Sequence, residues 1–296
     1  MSSTPGSLVI DLPVPVLGSL SPSRASDFKT CPLLYRLRSI DRLPDPPSPA
    51  AVRGTLVHSV LERLFDLPAD ERTLAVAEAL MAREWQRLVE AEPDVAAMFA
   101  DADELAPWLE SARPLLAAYF GLEDPTRLEP AEREQLVEVL LPSGLRLRGY
   151  IDRLDVAPSG EIRVVDYKTG GAPREAFEGK ALFQLKFYAL IIWRTRGVVP
   201  RQLRLLYLGD RDMLTYAPDE GELARFERTL EALWAAIARA TAAEDFRSSP
   251  SRLCDWCQHK ALCPSFGGPP PPFPALPPAA LDNTDSAADV SPVADD

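Results

Sequence analysis

The sequence predicts a mixed α/β fold, in which helices cover both faces of a mixed sheet. Two observations support this prediction: five segments carry apolar residues at helical spacing, and five others read as strands. Along the chain the order is helices, a three-strand meander, a helix and further strands. The 296 residues suffice for one large domain of this class, or for two domains of about 150 residues each.

The individual elements follow from periodicity and from the turns between them. Helical spacing is found in residues 50–67, 70–91, 101–120, 174–196 and 221–243. The predicted strands are Gln135–Leu141, Leu145–Val156, Glu161–Lys168, Gln202–Leu208 and Met213–Tyr216. Pro-Ser-Gly turns join the first three strands, which therefore form an antiparallel meander. The fourth helix then crosses over to the strand that begins near Gln202.

The two ends of the chain lack such patterns. Residues 1–19 are expected to be flexible, and residues 267–296 contain eight prolines and five aspartates but no basic residue. Because this tail cannot bury enough apolar surface to order itself, it is predicted to be disordered. The folded domain is therefore expected to span residues 20–266, with a helical insert at about 59–130.

The net charge of −12 is unevenly distributed. Residues 59–140 hold 19 acidic and 7 basic residues, whereas the chain outside this segment and the tail is mildly basic. The candidate site residues lie in that basic remainder, where a negatively charged ligand would be attracted. A solvated acidic face would explain the distribution equally well.

Membrane and secreted classes are excluded by the sequence. The longest apolar run, Phe187–Trp193, is far shorter than the roughly 18 residues of a membrane span. The N-terminus has neither the basic start nor the apolar core of a secretory signal. We therefore expect a cytoplasmic protein without a membrane partner, in which the four cysteines do not form structural disulfides.

Two carboxylates and a lysine are expected to converge at one edge of the sheet. Strand alternation places Asp166 and Lys168 on the same face as Ile162 and Val164, at the end of the third strand. A hairpin can bring Asp152, on the neighbouring strand, into register with Asp166. Converging carboxylates beside an ammonium group suit a hard divalent cation such as Mg²⁺. The alternative is a surface salt bridge beside an unrelated aspartate.

His58 and several ordered motifs add a family resemblance. Alone, His58 on its apolar helix would be taken for a core residue. However, Gly-Tyr-Ile-Asp152-Arg, Asp166-Tyr-Lys168-Thr-Gly and Gln184-Leu-Lys-Phe-Tyr-Ala resemble the motifs of PD-(D/E)xK nucleases in order. Gly-x3-His58-x2-Leu-Glu, together with Cys31 after Leu-Ser-Pro-Ser, is similar to the RecB-type exonuclease branch, which includes the AddB nuclease domain.

This resemblance implies a restriction-endonuclease-like core and a set of functional residues. The implied ligands of Mg²⁺ or Mn²⁺ are His58, Asp152, Asp166 and the carbonyl oxygen of Tyr167. Lys168 is the implied catalytic lysine, and Gln184 and Tyr188 are implied to orient Lys168 or the DNA. Arg153 and Arg174 are candidate phosphate contacts, although solvated arginines would look the same in the sequence.

The four cysteines indicate a second metal site. Cys254-x2-Cys257-x5-Cys263 clusters near the end of the domain, and Cys31 lies more than two hundred residues earlier. Zinc remains possible from the ligand number alone. The solitary fourth ligand favours a [4Fe–4S] cluster, since the spacing resembles the iron–sulfur staple of AddB-like nucleases. Such a clasp would tie the N-terminal segment to the C-terminal one, with His259 and Trp256 as packing or solvent residues.

These observations predict a metal-dependent DNA nuclease. The resemblance implies an exonuclease that acts on DNA ends or single strands in repair or recombination. No phosphate-binding loop of a helicase motor occurs in the sequence, so any helicase would be a separate subunit. The main alternative is a non-catalytic DNA-end-binding Fe–S subunit of a helicase–nuclease complex, and a third possibility is cleavage of RNA or single-stranded flaps.

Overall fold

The structure, a computed structural model, describes residues 18–172 and 178–275. Within these residues one mixed sheet has the strand order β1-β2-β3-β4-β5. The strands are β1 Glu132–Leu140, β2 Arg146–Val156, β3 Ile162–Lys168, β4 Gln202–Tyr207 and β5 Asp212–Tyr216. Neighbouring strands are antiparallel except β3 and β4, which are parallel. The predicted meander and the predicted crossover are therefore confirmed.

The helices surround this sheet. They are α1 Pro22–Thr30, α2 Pro32–Tyr35, α3 Pro49–Leu64, α4 Leu74–Ala91, α5 Pro93–Ala96, α6 Ala102–Glu110, α7 Arg113–Leu122, α8 Glu178–Arg196 and α9 Glu220–Ala242. The single helix predicted over 101–120 is two helices. Pro114 has no N–H for the carbonyl of Glu110, so the chain ends α6 and starts α7 there.

Helices α1 and α2 were not predicted, although the sequence carries their start signal. The Ser21 side chain accepts a hydrogen bond from the Arg24 N–H and thereby caps α1, with Pro22 at the first helical position. The same Ser-Pro pair, Ser48 and Pro49, begins α3. The apolar pattern of α1 is weak because most of its residues are polar, so its capping signal was the better indicator.

The sheet separates two hydrophobic cores. Strand alternation sends Val164 to one face, where it packs with residues of α1, α2, α8 and α9. Its neighbour Val165 faces the opposite core, formed with α3, α4, α5 and α7. The prediction of helices on both faces is therefore confirmed. The helical insert between α3 and β1 builds most of this second core.

The beginning of the C-terminal tail packs on the domain, which corrects the predicted boundary at residue 267. The ring of Phe273 stacks on Phe246 at a centroid distance of 6.0 Å, and Arg36 donates a hydrogen bond to the carbonyl of Pro271. Phe273 makes an apolar contact that the proline-rich composition of the tail did not predict. The remaining tail, 276–296, and residues 1–17 lie outside the described residues.

No helix in the described ranges combines the length and the apolar character that crossing a membrane requires.

Candidate active site

Two buried carboxylates lie side by side where β2 and β3 meet. The β2–β3 ladder includes the pair Arg153–Val165, and Asp152 and Asp166 come directly beyond it. The backbone N–H of Tyr167 donates to Asp152 Oδ2 at 2.6 Å, which fixes that carboxylate against β3. Asp152 is 8% exposed and Asp166 only 2%. The β2–β3 hairpin thus brings both carboxylates to the same largely buried site.

His58 and Glu134 complete a group of metal-ligand atoms around Asp152. The Nδ1 atom of His58 on α3 lies 3.5 Å from Asp152 Oδ2 and 3.6 Å from Glu134 Oε1. One ligand atom from each of the three residues lies within 4.8 Å of the other two. Among the described residues, His58 Nδ1 and Glu134 Oε1 are buried atoms that lack a hydrogen-bond partner. Since buried polar atoms are normally satisfied, this pair fits a cation between them.

The Tyr167 carbonyl borders the same group. Its oxygen lies 3.0 Å from His58 Nε2. This distance suits a hydrogen bond from Nε2–H, which leaves Nδ1 as the unprotonated nitrogen that a metal requires. This hydrogen bond places Tyr167 in contact with the site through its backbone.

Glu134 was missed by the sequence reasoning. It lies on β1 opposite Asp152, at a point where the regular pairing of β1 and β2 is interrupted. Its φ of 43° is in the left-handed region, which costs a non-glycine residue energy and is frequent at functional sites. The predicted strand began one residue later, so Glu134 was left in a connecting segment. A correct strand boundary would have placed it across from Asp152.

Lys168 is held beside Asp166 by Gln184 of α8, which Tyr188 of the same helix contacts in turn. Its Nζ atom lies 3.0 Å from Asp166 Oδ2 and donates to Gln184 Oε1 at 2.8 Å. The Gln184 amide in turn donates to Asp166 Oδ1 at 3.2 Å and to the Tyr188 hydroxyl at 3.1 Å. Gln184 and Tyr188 are four residues apart and therefore share one helix face. At Gly149 a Cβ atom would come within 2.8 Å of the Tyr188 ring, so a glycine is required there.

Burial and crowding perturb the ionisation of these groups. Burial raises the pKa of Asp166 to about 7 and that of Asp152 to about 6, although nearby positive charge opposes both shifts. Burial lowers the pKa of His58, but the carboxylates of Asp152 and Glu134 outweigh this effect and raise it to about 9. One lysine and one histidine do not neutralise the negative charge of the several carboxylates that are buried close together. A divalent cation would favour their ionised forms.

The structure thus arranges the sequence-predicted ligands in two groups. His58, Asp152 and the Tyr167 carbonyl lie together, joined by Glu134, whereas Asp166 pairs with Lys168 next to them. Carboxylate oxygens with an imidazole suit Mg²⁺ or Mn²⁺. The donor set therefore fits the divalent metal that the sequence motifs implied.

Arg153 does not contact solvent, and the suggestion that it binds phosphate is wrong. It is 0% exposed and bonds Glu123, Asp155 and the Tyr167 hydroxyl. The strand alternation that brings Asp152 to one side of β2 turns Arg153 into the core on the α3 side. Arg174 lies outside the described residues.

All four cysteines line one cavity next to α2. This cysteine cavity contains Cys31, Cys254, Cys257 and Cys263 together with Leu33 and Leu37. The thiols are free and half-buried. Among the described residues, no three of the sulfur atoms lie within 4.8 Å of one another. The fold thus gathers the distant Cys31 with the other three cysteines without forming a tight ligand group.

His259 and Trp256 differ sharply in their surroundings. His259 is buried, and its Nε2 atom lies 3.0 Å from Asp45 Oδ1. Trp256 is 74% exposed. His259 is therefore a packing residue that links the cysteine segment to the connector after α2, and Trp256 faces the solvent.

The mixed sheet and its buried acid–lysine site define the class of nucleases that cleave phosphodiesters with a divalent metal. The sequence profile of the PD-(D/E)XK nuclease superfamily matches residues 19–264, and the chain belongs to this superfamily. Superfamily membership accounts for the carboxylates, the lysine and the mixed sheet together.

Two curated relatives match most of the chain. The Gene 69 protein of Mycobacterium phage D29 is 26% identical over 276 residues, which cover 83% of this chain and 96% of the relative. The Gene 69 protein of Mycobacterium phage L5 is 24% identical over 287 residues, with the same two coverages. The crystal structure of SSO0001 aligns with 72% of this chain and 84% of its own, at 16% identity and a TM-score of 0.32. None of these matches distinguishes the RecB-type branch or supports a helicase partner.

Proposed function

We propose that this protein is a metal-dependent DNA exonuclease of the RecB-type branch that acts on DNA ends or single strands in repair or recombination. The observation that supports the proposal is the convergence of His58 Nδ1, Glu134 Oε1 and Asp152 Oδ2 next to the Asp166–Lys168 pair. Buried ligand atoms without partners, beside a lysine held by two hydrogen-bonding groups, suit phosphodiester hydrolysis better than a structural ion pair.

His58, Glu134 and Asp152 would hold the cation, with Asp166 and the Tyr167 carbonyl at its border. When bound, Mg²⁺ or Mn²⁺ lowers the pKa of water and neutralises charge on the scissile phosphate. The protein residues set the geometry in advance. Asp152 is fixed by the Tyr167 N–H and His58 by its position on α3, so few side chains need to reorganise on metal binding.

Lys168 would stabilise the negative charge that builds on the phosphate during hydrolysis. Asp166 and Gln184 restrain its Nζ atom from two sides, so the ammonium is oriented before substrate arrives. Such preorganised charges contribute more to rate than flexible ones, because no reorganisation is needed during the reaction. Gln184 in turn is positioned by Tyr188, which gives α8 the role of aligning the lysine.

We further propose that the cysteine cavity holds a [4Fe–4S] cluster that clasps the two ends of the domain. The fold brings the distant Cys31 to the same cavity as Cys254, Cys257 and Cys263, as a site with four thiolate ligands requires. One solitary ligand beside three clustered ones suits a [4Fe–4S] cluster, whereas structural zinc sites usually use two paired cysteine knuckles.

The nuclease proposal is tested by incubating the purified protein with end-labelled single- and double-stranded DNA in Mg²⁺, Mn²⁺ or EDTA. We expect metal-dependent release of short products from DNA ends and no cutting of closed circular DNA. Circular DNA cut at the rate of linear DNA would indicate an endonuclease, and faster cleavage of RNA would change the substrate. DNA binding without cleavage in any metal would instead support the end-binding Fe–S subunit. An Asp166→Asn variant prepared identically controls for contaminating nucleases.

A further inference from the structure

Arg153 is a fully buried cation that contacts two carboxylates and a hydroxyl. Its guanidinium donates to the Glu123 carboxylate at 2.7 and 3.1 Å and to the Asp155 carboxylate at 3.1 and 3.2 Å. It also lies 5.7 Å from the Phe65 ring centroid. A charge buried away from water is costly unless every partner is in place, so such a group holds its partners in fixed positions. One of the partners of Arg153 reaches the proposed metal site.

Tyr167 connects Arg153 to the metal-ligand group. Its hydroxyl accepts a hydrogen bond from Arg153 Nη1 at 2.9 Å. Its backbone N–H donates to Asp152, and its carbonyl oxygen lies 3.0 Å from His58 Nε2. Its ring also packs edge-on against the His58 ring at a centroid distance of 5.8 Å. One residue thus touches two of the three proposed ligands, and Arg153 fixes the far end of that residue.

We propose that Arg153 is a positioning residue for the divalent cation, acting through Tyr167 to hold Asp152 and His58 in their ligand geometry. The inference rests on the proposed metal site and adds a residue outside the ligand group to it. Groups that orient metal ligands commonly change metal affinity by about 10- to 100-fold. Arginine suits this position because its planar fork reaches two carboxylates and a hydroxyl at once, which a lysine cannot do.

A variant without Arg153 is expected to fold, because its partners keep other cations. Glu123 also accepts from Arg204 at 2.8 Å, and Asp155 also accepts from Arg163 at 2.8 Å. Arg153→Met therefore leaves neither carboxylate without a positive neighbour. Tyr167→Phe is milder still, since it removes only the hydroxyl that Arg153 contacts.

The test measures Mn²⁺ binding to the full chain without DNA, with free Mn²⁺ followed by electron paramagnetic resonance. We expect Arg153→Met to bind Mn²⁺ about 10- to 100-fold more weakly than the wild type, with no rescue by Arg153→Lys. Tyr167→Phe should also weaken binding. The double variant should be scarcely weaker than Arg153→Met, because both changes break the same connection.

Arg72 provides a matched control. It is 4% exposed, lies 5.2 Å from the same Phe65 ring and donates to the backbone carbonyls of Leu67, Pro125 and Leu128. We expect Arg72→Met to lower the melting temperature while Mn²⁺ affinity stays at the wild-type value. Equal Mn²⁺ affinity in the wild type and in both Arg153→Met and Tyr167→Phe would overturn the positioning role, as would an equal loss in Arg72→Met. A wild-type protein that binds no Mn²⁺ would instead refute the metal site itself.

Discussion

Two sites of the molecule differ in how far the polypeptide, without a bound metal, positions the ligand atoms. They are the carboxylate–histidine site of His58, Glu134 and Asp152 and the cysteine cavity. The first is built on two neighbouring strands and a long helix, and its ligand atoms already lie within 4.8 Å of one another. The second is lined by 3₁₀ turns near the C-terminal cysteines and by residues where α1 meets α2, and among the described residues no three of its sulfur atoms lie within 4.8 Å of one another. Both sites collect residues that are distant in the sequence.

This difference indicates which site depends on its metal for folding. Strand ladders and helix packing hold the carboxylate–histidine site in place, so a divalent metal bound there would serve chemistry rather than structure. The segment with Cys254, Cys257 and Cys263 is held by short-range backbone hydrogen bonds, such as that from the Cys257 N–H to the Cys254 carbonyl, and a metal bound there would cross-link it to Cys31. Under the two proposals, removal of the divalent cation should stop cleavage, and removal of a metal bound by the cysteines should destabilise the domain.

The largest expected effect tests the first half of this comparison. Lys168→Ala should lower DNA cleavage by on the order of 10²-fold or more, because it removes a preorganised charge, while thermal stability changes little. Single-turnover cleavage and a melting curve measure the two quantities. Lys186→Ala is the matched control, since Lys186 lies on α8 but pairs with Glu222. Unchanged cleavage by the Lys168 variant would refute its assignment.

The next effect tests the cysteine cavity. Cys31→Ser should remove the iron and sulfide together with the visible absorption, and should lower the melting temperature by on the order of 10 °C, because ligand binding energy here is also folding energy. Cys254→Ser should be equally damaging. Metal analysis of protein purified without oxygen decides the result. A colourless protein with one equivalent of zinc would replace the cluster by zinc, and full metal content in the Cys31 variant would exclude that residue.

A third substitution tests whether Glu134 is a ligand of the divalent metal. Glu134→Gln keeps the size of the side chain but removes a negative ligand, so the Mg²⁺ concentration for half-maximal cleavage should rise about 10-fold or more. Glu138→Gln, on the same strand but half-exposed and paired with Arg146, should leave it unchanged. An identical Mg²⁺ dependence in Glu134→Gln and the wild type would remove Glu134 from the site.

Measurements of stability across a range of pH test the buried ion pairs of Glu123 with Arg153 and Arg204. Burial alone would raise the pKa of Glu123, but hydrogen bonds and positive charge from Arg153 and Arg204 hold it below its ordinary value of 4.5. A carboxyl whose folded-state pKa is depressed stabilises the fold above its unfolded pKa and loses that contribution as pH falls through the folded value. Glu123→Gln should therefore cost stability at pH 7, and its difference from the wild type should shrink below about pH 4.5. Denaturant unfolding across this range provides the measurement, and a constant difference would contradict the ion pairing.

The smallest expected effect concerns the start of the C-terminal tail, which packs on Phe246 and Arg36. Truncation after residue 266 removes the contact of Phe273 with Phe246 and Arg36, and should lower the melting temperature by about 2–4 °C. Truncation after Ala275 removes none of these contacts and should leave it unchanged. Equal melting temperatures for the two truncations would show that the Phe273 contact adds nothing to the stability of the domain.

Features that are encoded by neighbouring residues were predicted from the sequence, whereas features that depend on contacts between distant residues were not. The five strands were located to within about three residues, because alternation and Pro-Ser-Gly turns are local features. The pairing of Asp152 with Asp166 followed from one hairpin. Glu134 was not predicted as a site residue because the predicted start of β1 was too late. Helix α1 was not predicted because it has little apolar periodicity.

The sequence by itself determined the mixed sheet, its crossover and the motif residues, because periodicity, turn residues and short spacings are encoded in neighbouring positions. Only the tertiary structure decided which side chains meet. Glu134 joins His58 and Asp152 through an interruption of the β1–β2 pairing, and Arg153 is buried because Glu123, thirty residues earlier, supplies its counter-charge. Contacts of this kind depend on how α3 and α7 pack against the sheet, which local patterns do not specify.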